Sequence, residues 1–345
     1  MVRVGVIGCG KIAQVRHLPE YEANSNAQIT AVFDMNYDRA CEIAKTYGAV
    51  AYKTLEELLA SDVDAVSVCT ANANHAASTI AALKAGKHVL CEKPMAITID
   101  ECEQMVAEAR AAGKKLMIDQ NQRFARAHVR AKELLDAGKI GDVLTFRTTF
   151  GHGGAATGRV DPGTDSWFFD PQRAAMGAMA DLGVHKTDLI QWLLGQTVVS
   201  TTARVTTLDK RDPQGNLVGV DDNAICVYTM SGGTIGSMTA SWTYYGPEDN
   251  STVLYGTRGV MRIYDDPAHS IVVDLACGEH ETYDVEAIQT NDNQTASGII
   301  DAFVDCLEND TDPAISGESV LAAMRAVFGS IESSKTGTVV NVKQG

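Results

Sequence analysis

Residues 2–13 read VRVGVIGCGKIA, an apolar strand followed at once by a glycine-rich turn. The turn has the form G-x-G-x-x-A, in which Gly8 permits the tight bend and Gly10 lets the backbone approach a pyrophosphate. Ala13 lets the next helix pack closely on the strand, and the amino end of that helix offers free N–H groups to phosphates. The stretch therefore predicts a dinucleotide-binding loop. Its expected cofactor contacts are Gly8, Gly10, Lys11, Ile12 and Ala13.

An acidic residue stands at the distance that this motif requires. Residues 28–33 read as a second strand, and Asp34 follows it, about 20 positions after Ala13, where an acid binds the ribose hydroxyls. A carboxylate there repels a 2′-phosphate, so Asp34 predicts NAD, although Arg39 leaves room for NADP. The alternative is that Asp34 caps the following helix, and the two uses are compatible.

The first third of the chain alternates strands and helices. Capping boxes begin at Thr54 and Thr98, and glycines stand just past the helix ends at Gly48, Gly86 and Gly113. The predicted later strands are 65–69, 88–91 and 116–118, and the predicted helices are 40–47, 75–85 and 99–112. This order predicts an α/β Rossmann domain over residues 1–121, with a doubly wound parallel sheet.

Beyond residue 121 the chain becomes rich in strands. A helix is predicted at 127–137, and two more, near 295–308 and 319–333, close the chain. The predicted strands are 143–150, 198–207, 224–230, 234–243, 252–255, 260–264, 270–273 and 280–284. The pattern predicts an α+β domain over residues 122–345, built on a large and mostly antiparallel sheet. The outer face of that sheet is expected to be apolar enough for a second subunit.

Composition excludes several classes of protein. The 345 residues include 29 basic and 44 acidic side chains, and a net charge of −15 argues against nucleic-acid binding. We expect no signal peptide, because the first strand begins at Val2, and no membrane segment, because no run reaches about 20 apolar residues. The eight cysteines lack C-x-x-C spacing, so we expect reduced thiols, no zinc site and a cytoplasmic protein.

Residues 91–94 read Cys-Glu-Lys-Pro and follow an apolar strand directly. Proline favours an extended conformation for the residue before it, so Lys93 is expected at a strand end, where open α/β sheets bind their ligands. The alternative is a surface lysine in front of a helix-starting proline. The dinucleotide motif makes the first interpretation the stronger one.

A polar loop also follows the strand at 65–69. Thr70, Asn72 and His75 are positioned to reach the nicotinamide-ribose side of a bound cofactor. The alternative is structural: Asn74 or Thr70 caps the following helix, and His75 packs at its start.

A second set of candidates lies near residue 180. Asp181 and His185 are four positions apart, so they share one face of the helix that is predicted to continue to Leu194. An acid beside an imidazole fixes its tautomer, and His185 is then suited to exchange a proton with a substrate hydroxyl. The alternative is a helix-capping Asp and a structural His, which is the stronger reading for these two residues alone. The Rossmann pattern and Lys93 favour the catalytic interpretation.

These motifs together resemble one family over essentially the whole chain, the Gfo/Idh/MocA oxidoreductases, which include inositol, glucose–fructose and related sugar dehydrogenases. The marks of the resemblance are Gly8-x-Gly10-x-x-Ala13, the 70–75 loop, Glu92-Lys93-Pro94, Asn121-Gln122-Arg123-Phe124, Trp167 with Asp170-Pro171, and Asp181-x-Gly183-x-His185-x-x-Asp188. The resemblance implies a Rossmann domain, an open-faced C-terminal sheet that assembles dimers or tetramers, and hydride transfer to or from a sugar or polyol. It implies Lys93, Asp181 and His185 as the catalytic group.

The same resemblance assigns further roles. Glu92 and Lys93 would contact the cofactor, with Arg123 beside it, and the substrate pocket would involve Arg123, His152 and Trp167 with the catalytic group. Two positions depart from the family pattern: Ala71 replaces a common proline, and residues 176–178 replace a common triple glycine, which would reshape the pocket. The glycine-rich run 151–158 is expected either as a mobile segment over the site or as a plain surface loop. The alternatives to a dehydrogenase are a keto-sugar or imine reductase, or a non-catalytic regulator that senses the cofactor.

Overall fold

The computed structural model describes residues 1–154, 167–285 and 296–344. The chain forms two compact units. The first consists of Met1–Asn121 with Asn291–Leu321, and the second consists of Gln122–Thr290 with Ala322–Gly345. Each unit has a sheet of its own.

The sheet of the first unit is entirely parallel. Its strands are β1 (Val2–Ile7), β2 (Ala27–Phe33), β3 (Val50–Tyr52), β4 (Ala65–Val68), β5 (His88–Cys91) and β6 (Leu116–Ile118). They lie in the order β3-β2-β1-β4-β5-β6, so the direction of winding reverses between β1 and β4. Ligands of open α/β sheets bind at the carboxyl ends of the strands beside such a reversal. The predicted doubly wound Rossmann sheet is confirmed.

The helices follow the predicted order, and their ends are set by local chemistry. They are α1 (Leu18–Ala23), α2 (Tyr37–Tyr47), α3 (Leu55–Leu59), α4 (His75–Lys84), α5 (Ile99–Ala112), α6 (Arg126–Asp136), α7 (Val184–Leu194), α8 (Ile299–Glu308) and α9 (Gly317–Thr336). Thr54 accepts the N–H of Glu57 in a complete capping box, and Thr98 accepts the N–H of Glu101. Gly48 and Gly113 adopt left-handed conformations that end α2 and α5.

Two π-helical segments were not predicted. One, Ala13–His17, follows the glycine loop and leads into α1. The other, Met179–Gly183, leads into α7. Such segments occur mostly as single turns within α-helices, where they hold one extra residue, and they are frequent at functional sites.

The second unit contains a sheet of nine strands. They are β7 (Val143–Gly151), β8 (Val198–Thr206), β9 (Asn223–Met230), β10 (Ile235–Ser241), β11 (Thr252–Gly256), β12 (Gly259–Ile263), β13 (Ile271–Leu275), β14 (His280–Tyr283) and β15 (Val340–Asn341). The order is β14-β13-β12-β11-β7-β10-β9-β8-β15, and every pair is antiparallel except β7 with β10. The mostly antiparallel sheet is therefore confirmed.

Alternate residues of the central strands point to opposite faces of this sheet. Cys226 and Tyr228 of β9 are fully buried, whereas Ile225 and Val227 remain more than half exposed. One face of β9 therefore belongs to the core, while the other presents apolar side chains to solvent.

All eight cysteines are free thiols, and all except Cys41 and Cys277 are buried. Within the described ranges, the helices are too short or too polar to cross a bilayer.

Candidate active site

The glycine loop has the geometry that the motif predicts. Gly8 has a φ of +90°, and its N–H donates to the carbonyl oxygen of Phe33 at 2.7 Å. A Cβ on Gly8 would lie 2.8 Å from the carbonyl oxygen of Cys69, so a larger residue does not fit. A Cβ on Gly10 would meet no atom of the described residues within 4 Å. Its surroundings are therefore open to a ligand, as close approach of a pyrophosphate requires.

Asp34 joins the end of β2 to this loop. One carboxylate oxygen accepts the N–H of Cys9 at 2.7 Å, and the other accepts the N–H of Asn36 at 2.7 Å. The alternative role as a helix cap is wrong, because the side chain of Asn36 caps α2 by accepting the N–H of Arg39. Arg39 lies 3.9 Å from the Asp34 carboxylate. Lys11 is exposed and Ile12 is half-buried.

The loop after β4 is held by His75. Its Nδ1 lies 2.7 Å from the carbonyl oxygen of Pro94, and its Nε2 lies 3.1 Å from that of Thr70. The ring is buried, and burial lowers its pKa, an effect that these two carbonyls oppose. Asn74 precedes α4 without a side-chain capping bond, and Asn72 is buried in the short helix Asn72–Asn74. His75 therefore links the loop to the segment that carries Lys93 through its contacts with the Thr70 and Pro94 carbonyl oxygens.

Lys93 stands at the carboxyl end of β5 and is half-buried. Its peptide bond to Pro94 is cis. The N–H of Lys93 donates to Glu92 Oε2 at 3.1 Å. The Glu92 side chain is buried, and its Oε1 lies 3.0 Å from His17 Nε2, so this predicted cofactor contact points into the unit.

Glu92 belongs to a buried ionic cluster of four residues, Arg16, His17, Glu92 and Asp119. Arg16 Nη1 lies 3.0 Å from Asp119 Oδ2 and 3.5 Å from Glu92 Oε1. Burial disfavours the charge of Asp119, yet Arg16 and His17 hold the pKa of this carboxyl below its usual range. His17, Glu92 and Asp119 also bring metal-ligand atoms within 4.8 Å of one another. The Arg16 guanidinium contacts the same oxygens, so an ion-pair cluster fits better than a metal site.

In the second unit, Asp181 lies in the π-helical segment Met179–Gly183 and His185 lies in the first turn of α7. The expectation that one α-helix carries both is wrong, so α-helical spacing does not apply between them. Asp181 Oδ2 accepts the indole N–H of Trp242 at 3.1 Å, and Trp242 is fully buried. The His185 ring centre lies 6.3 Å from that of Phe150.

Asp221 fixes the start of the same segment. Its carboxylate oxygens accept the N–H groups of Gly177 at 2.8 Å and Met179 at 2.7 Å. Burial raises the pKa of Asp221 to about 6, although these N–H groups lower it. A Cβ on Gly177 would lie 1.8 Å from the Asp221 carbonyl oxygen. The glycine retained within residues 176–178 is therefore required by close packing.

The remaining predicted pocket residues have protein partners. The guanidinium of Arg123 binds Asp188 through two bonds, Nε–Oδ2 at 2.7 Å and Nη2–Oδ1 at 2.5 Å. His152 accepts the N–H of Gly154 through Nδ1 at 2.9 Å. The ring of Trp167 contacts that of Phe168, with ring centres 3.9 Å apart and planes tilted by 34°. Residues 155–166 lie outside the described ranges, and so does the second half of the predicted 151–158 segment.

Lys186, next to His185, was not expected to be buried. It is fully inaccessible, and its ammonium donates to the carbonyl oxygen of Asn250 at 2.8 Å. Burial lowers the pKa of this amine to about 7. The charge of Lys186 therefore depends on pH near neutrality.

Several of these groups were missed from the sequence. Asp119 follows the apolar strand β6 directly, so the reasoning applied to Lys93 would also have identified it. The bond from Trp242 to Asp181 spans 61 residues and leaves no periodic signal. Arg16 and His17 lie in a π-helical segment whose side-chain directions the α-helical period does not give.

Comparison with known proteins covers most of the chain. Residues 2–120 match the GFO_IDH_MocA family, described as "Oxidoreductase family, NAD-binding Rossmann fold", and residues 128–262 match the GFO/IDH/MocA C-terminal domain. An inositol 2-dehydrogenase/D-chiro-inositol 3-dehydrogenase of Shouchella clausii is 38% identical over 198 residues, which are 56% of this chain and 53% of that protein. Inositol 2-dehydrogenase 3 of Saccharopolyspora erythraea is 32% identical, with 78% of this chain and 75% of that protein covered.

Solved structures share the fold over the full length. A levoglucosan dehydrogenase in complex with NADH superimposes with a TM-score of 0.87, with 100% of each chain covered and 23% identity. At that identity the similarity establishes the fold of both units and leaves the substrate open.

Proposed function

Because this chain belongs to the Gfo/Idh/MocA family of oxidoreductases, we propose that it is an NAD-dependent dehydrogenase of sugar or polyol hydroxyl groups. One observation in the first unit carries the proposal. The carboxyl ends of one parallel sheet bear the glycine loop, which is open at Gly10, together with the Asp34 carboxylate and Lys93. This is where open α/β sheets bind dinucleotides. The names of the inositol dehydrogenases reported above support a polyol as the substrate class.

We assign the chemical roles as follows. When bound, NAD supplies the nicotinamide C4 that accepts a hydride. His185 takes the proton of the substrate hydroxyl. At the same time, the hydrogen on the alcohol carbon of the substrate leaves as a hydride with the bonding electrons, so that this carbon becomes a carbonyl carbon. Lys93 donates a hydrogen bond to the same oxygen and stabilises the negative charge that develops on it. Asp181, held by Trp242, orients His185 or binds a neighbouring hydroxyl.

We propose NAD as the physiological cofactor, with NADP less favoured. Asp34 keeps its carboxylate at the end of β2 by bonds to two backbone N–H groups, so it is fixed where it would meet a 2′-phosphate. Arg39, 3.9 Å from that carboxylate, is already engaged by an acid. The negative charge is therefore expected to decide the preference.

One assay tests both proposals. Purified protein is mixed with NAD or NADP and a panel of inositols, aldoses and glycosides, and the absorbance of the reduced cofactor is followed. We expect turnover of at least one polyol, with kcat/KM for NAD at least about tenfold above that for NADP. The same panel of oxidised sugars with NADH reports the reverse reaction.

Two outcomes of this assay would contradict the proposal in different ways. Tight binding of NADH without turnover of any member in either direction would favour a cofactor-sensing regulator. A clear preference for NADP would instead contradict the argument from Asp34 and leave the dehydrogenase assignment in place.

We further propose that the protein forms homodimers or homotetramers through its C-terminal sheet. Ile225 and Val227 of β9 and Ile235 of β10 are 56%, 54% and 50% exposed. Ile235 pairs with Thr229 in register, so the three apolar side chains share one face of neighbouring strands. Contiguous apolar surface of this kind usually marks a protein interface.

Light scattering after size-exclusion chromatography tests this surface. We expect the wild type to elute as a dimer or tetramer at micromolar concentration, and Val227→Glu to shift it toward the monomer because a charge would be buried in the interface. Val129→Glu, at a residue that is 37% exposed on helix α6 of the second unit and outside the sheet, is the matched control. A wild type that is already monomeric would refute the proposed interface.

Cysteine usage supports a location in a reducing compartment. All eight cysteines are free thiols, and six are buried. We propose the cytoplasm, where thiols stay reduced.

A further inference from the structure

The ionic cluster of Arg16, His17, Glu92 and Asp119 has no place in the chemistry assigned so far. His17 and Asp119 are fully inaccessible, and Glu92 and Arg16 are 4% and 5% exposed. Burial of four ionisable groups carries a large desolvation penalty, and packed hydrophobic residues often stabilise a fold equally well. The position of the cluster suggests what it contributes instead.

Glu92 connects the cluster to Lys93 through both of its carboxylate oxygens. Oε2 accepts the backbone N–H of Lys93 at 3.1 Å, and Oε1 lies 3.0 Å from His17 Nε2. The Glu92 carboxylate can fix the backbone of Lys93 only if the carboxylate itself is held in one orientation. His17 is the closest donor to Oε1, ahead of Arg16 at 3.5 Å.

His17 is itself fixed from its other side. Its Nδ1 lies 3.2 Å from the hydroxyl of Ser67 on β4, and that hydroxyl bonds the buried Tyr21 hydroxyl at 2.8 Å. A rigid path of hydrogen bonds therefore runs from α1 through Ser67, His17 and Glu92 to the backbone of Lys93. It starts on the helix that follows the cofactor loop.

Arg16 and Asp119 complete the charge balance. Arg16 pairs with Asp119 at 3.0 Å, and the N–H of Asp119 donates to the carbonyl oxygen of Cys91, next to Glu92. Burial opposes a charge on His17, yet Cys69, Asp119 and Glu92 raise its pKa well above the usual range. Two cations and two carboxylates then give a neutral group, which a buried site can hold.

We propose that His17 is a positioning residue for Lys93, which it holds through Glu92 so that the Lys93 ammonium is presented to the substrate oxygen in a single arrangement. The proposal rests on the proposed function for the role of Lys93. A purely structural role would weaken NADH binding as much as it lowers turnover. The positioning role instead predicts that a misplaced Lys93 lowers kcat by a larger factor than any rise in the Kd for NADH.

The test compares two substitutions at one position. His17→Leu removes the donor to Glu92, whereas His17→Gln keeps an amide N–H near the place of Nε2. We expect kcat to fall by about 30-fold or more in His17→Leu, since misplacement by about 1 Å can cost 100-fold, with the Kd for NADH within about threefold of the wild type. His17→Gln restores the donor but not the positive charge, so its kcat should recover in part, to at least about threefold above that of His17→Leu.

A matched control comes from the same strand. His88 is half-buried at the opposite end of β5, where its Nδ1 accepts the N–H of Lys115 at 3.0 Å. His88→Leu removes a histidine and a backbone hydrogen bond far along the strand from Lys93. We expect its kcat to stay within about threefold of the wild type.

A second readout does not need turnover. Amine acylation with an isotopically labelled anhydride, followed by mass spectrometry with NADH present, gives the rate at which each lysine reacts. We expect the Lys93 rate to change at least about fivefold in His17→Leu and to return toward the wild type in His17→Gln, with the Lys84 rate unchanged. If no polyol is turned over, the proposed function fails while this measurement still decides the role of His17.

The outcomes that would overturn the proposal are equally specific. Equal kcat and equal Lys93 labelling in His17→Leu and the wild type would refute it. So would a loss of NADH binding as large as the loss of kcat, because that indicates a structural role in the cofactor loop. Should His17→Leu fail to fold, the isosteric Glu92→Gln must show the same change in Lys93 labelling, and unchanged labelling there would refute the proposal.

Discussion

Lys93→Ala is expected to lower turnover by about 100- to 1,000-fold while NADH binding stays within about threefold of the wild type. The reason is electrostatic: as the hydroxyl proton leaves, negative charge grows on the substrate oxygen, and a fixed ammonium stabilises that charge more than it stabilises the bound alcohol. Alanine removes the donor but leaves the backbone N–H that Glu92 binds, so the strand end keeps its conformation. Steady-state absorbance measures kcat, and fluorescence titration measures the Kd for NADH.

Lys84→Ala provides the control for this substitution. Lys84 lies on α4 in the same unit and is largely exposed, so its removal should change neither constant. Unchanged turnover in Lys93→Ala would refute the catalytic assignment. A parallel loss of NADH binding would show that Lys93 acts mainly on the cofactor.

Asp188→Leu is expected to destabilise the protein by about 3–5 kcal/mol, because it leaves the buried guanidinium of Arg123 without its bidentate partner. Both side chains are almost inaccessible, at 10% for Arg123 and 2% for Asp188. Burial raises the pKa of Asp188 although Arg123 lowers it, which shows how strongly the site disfavours an isolated charge. Urea denaturation followed by circular dichroism gives the free energy of unfolding.

The double variant Arg123→Met with Asp188→Leu separates a structural role from a functional one. Removing both charges should recover most of the stability that the single substitution loses. Activity should stay low if Arg123 also shapes the pocket, and it should return with the stability if the pair only supports the fold. Arg147→Met, which breaks the exposed pair with Asp265, should cost under about 1 kcal/mol. A loss no larger than this control in Asp188→Leu would contradict the argument.

The first unit was largely predictable because its signals are local. A capping threonine, a glycine just past a helix or an acid after a strand acts within a few residues, so Thr54, Thr98, Gly48 and Gly113 fixed helix ends that the structure reproduces. The strands β3 and β15 were not predicted. They are three and two residues long, which is too short to show an alternation of apolar and polar side chains.

The site was less predictable because its contacts join distant residues. Lys93 and Asp34 could be placed, since both follow strands of a sheet whose topology the motif implies. The inward direction of Glu92 depends on Arg16, His17 and Asp119, from two other parts of the chain. The partners of Asp181 and of Gly177 lie 61 and 44 residues away, so only the folded sheet brings them together.

The two π-helical segments have a consequence for chain length. Each accommodates one residue more than a regular α-helix needs, just after the glycine loop and just before α7. In a relative that lacks this residue, the same segment could form a regular α-helix. The side chains before the missing residue would then be rotated about the helix axis by about 100° relative to the side chains after it. Deletion of a single residue at either place would thus keep the helix while it redirects Arg16 or Asp181. Divergence by small length changes, rather than by substitution, is therefore one route by which this scaffold could acquire a different chemistry.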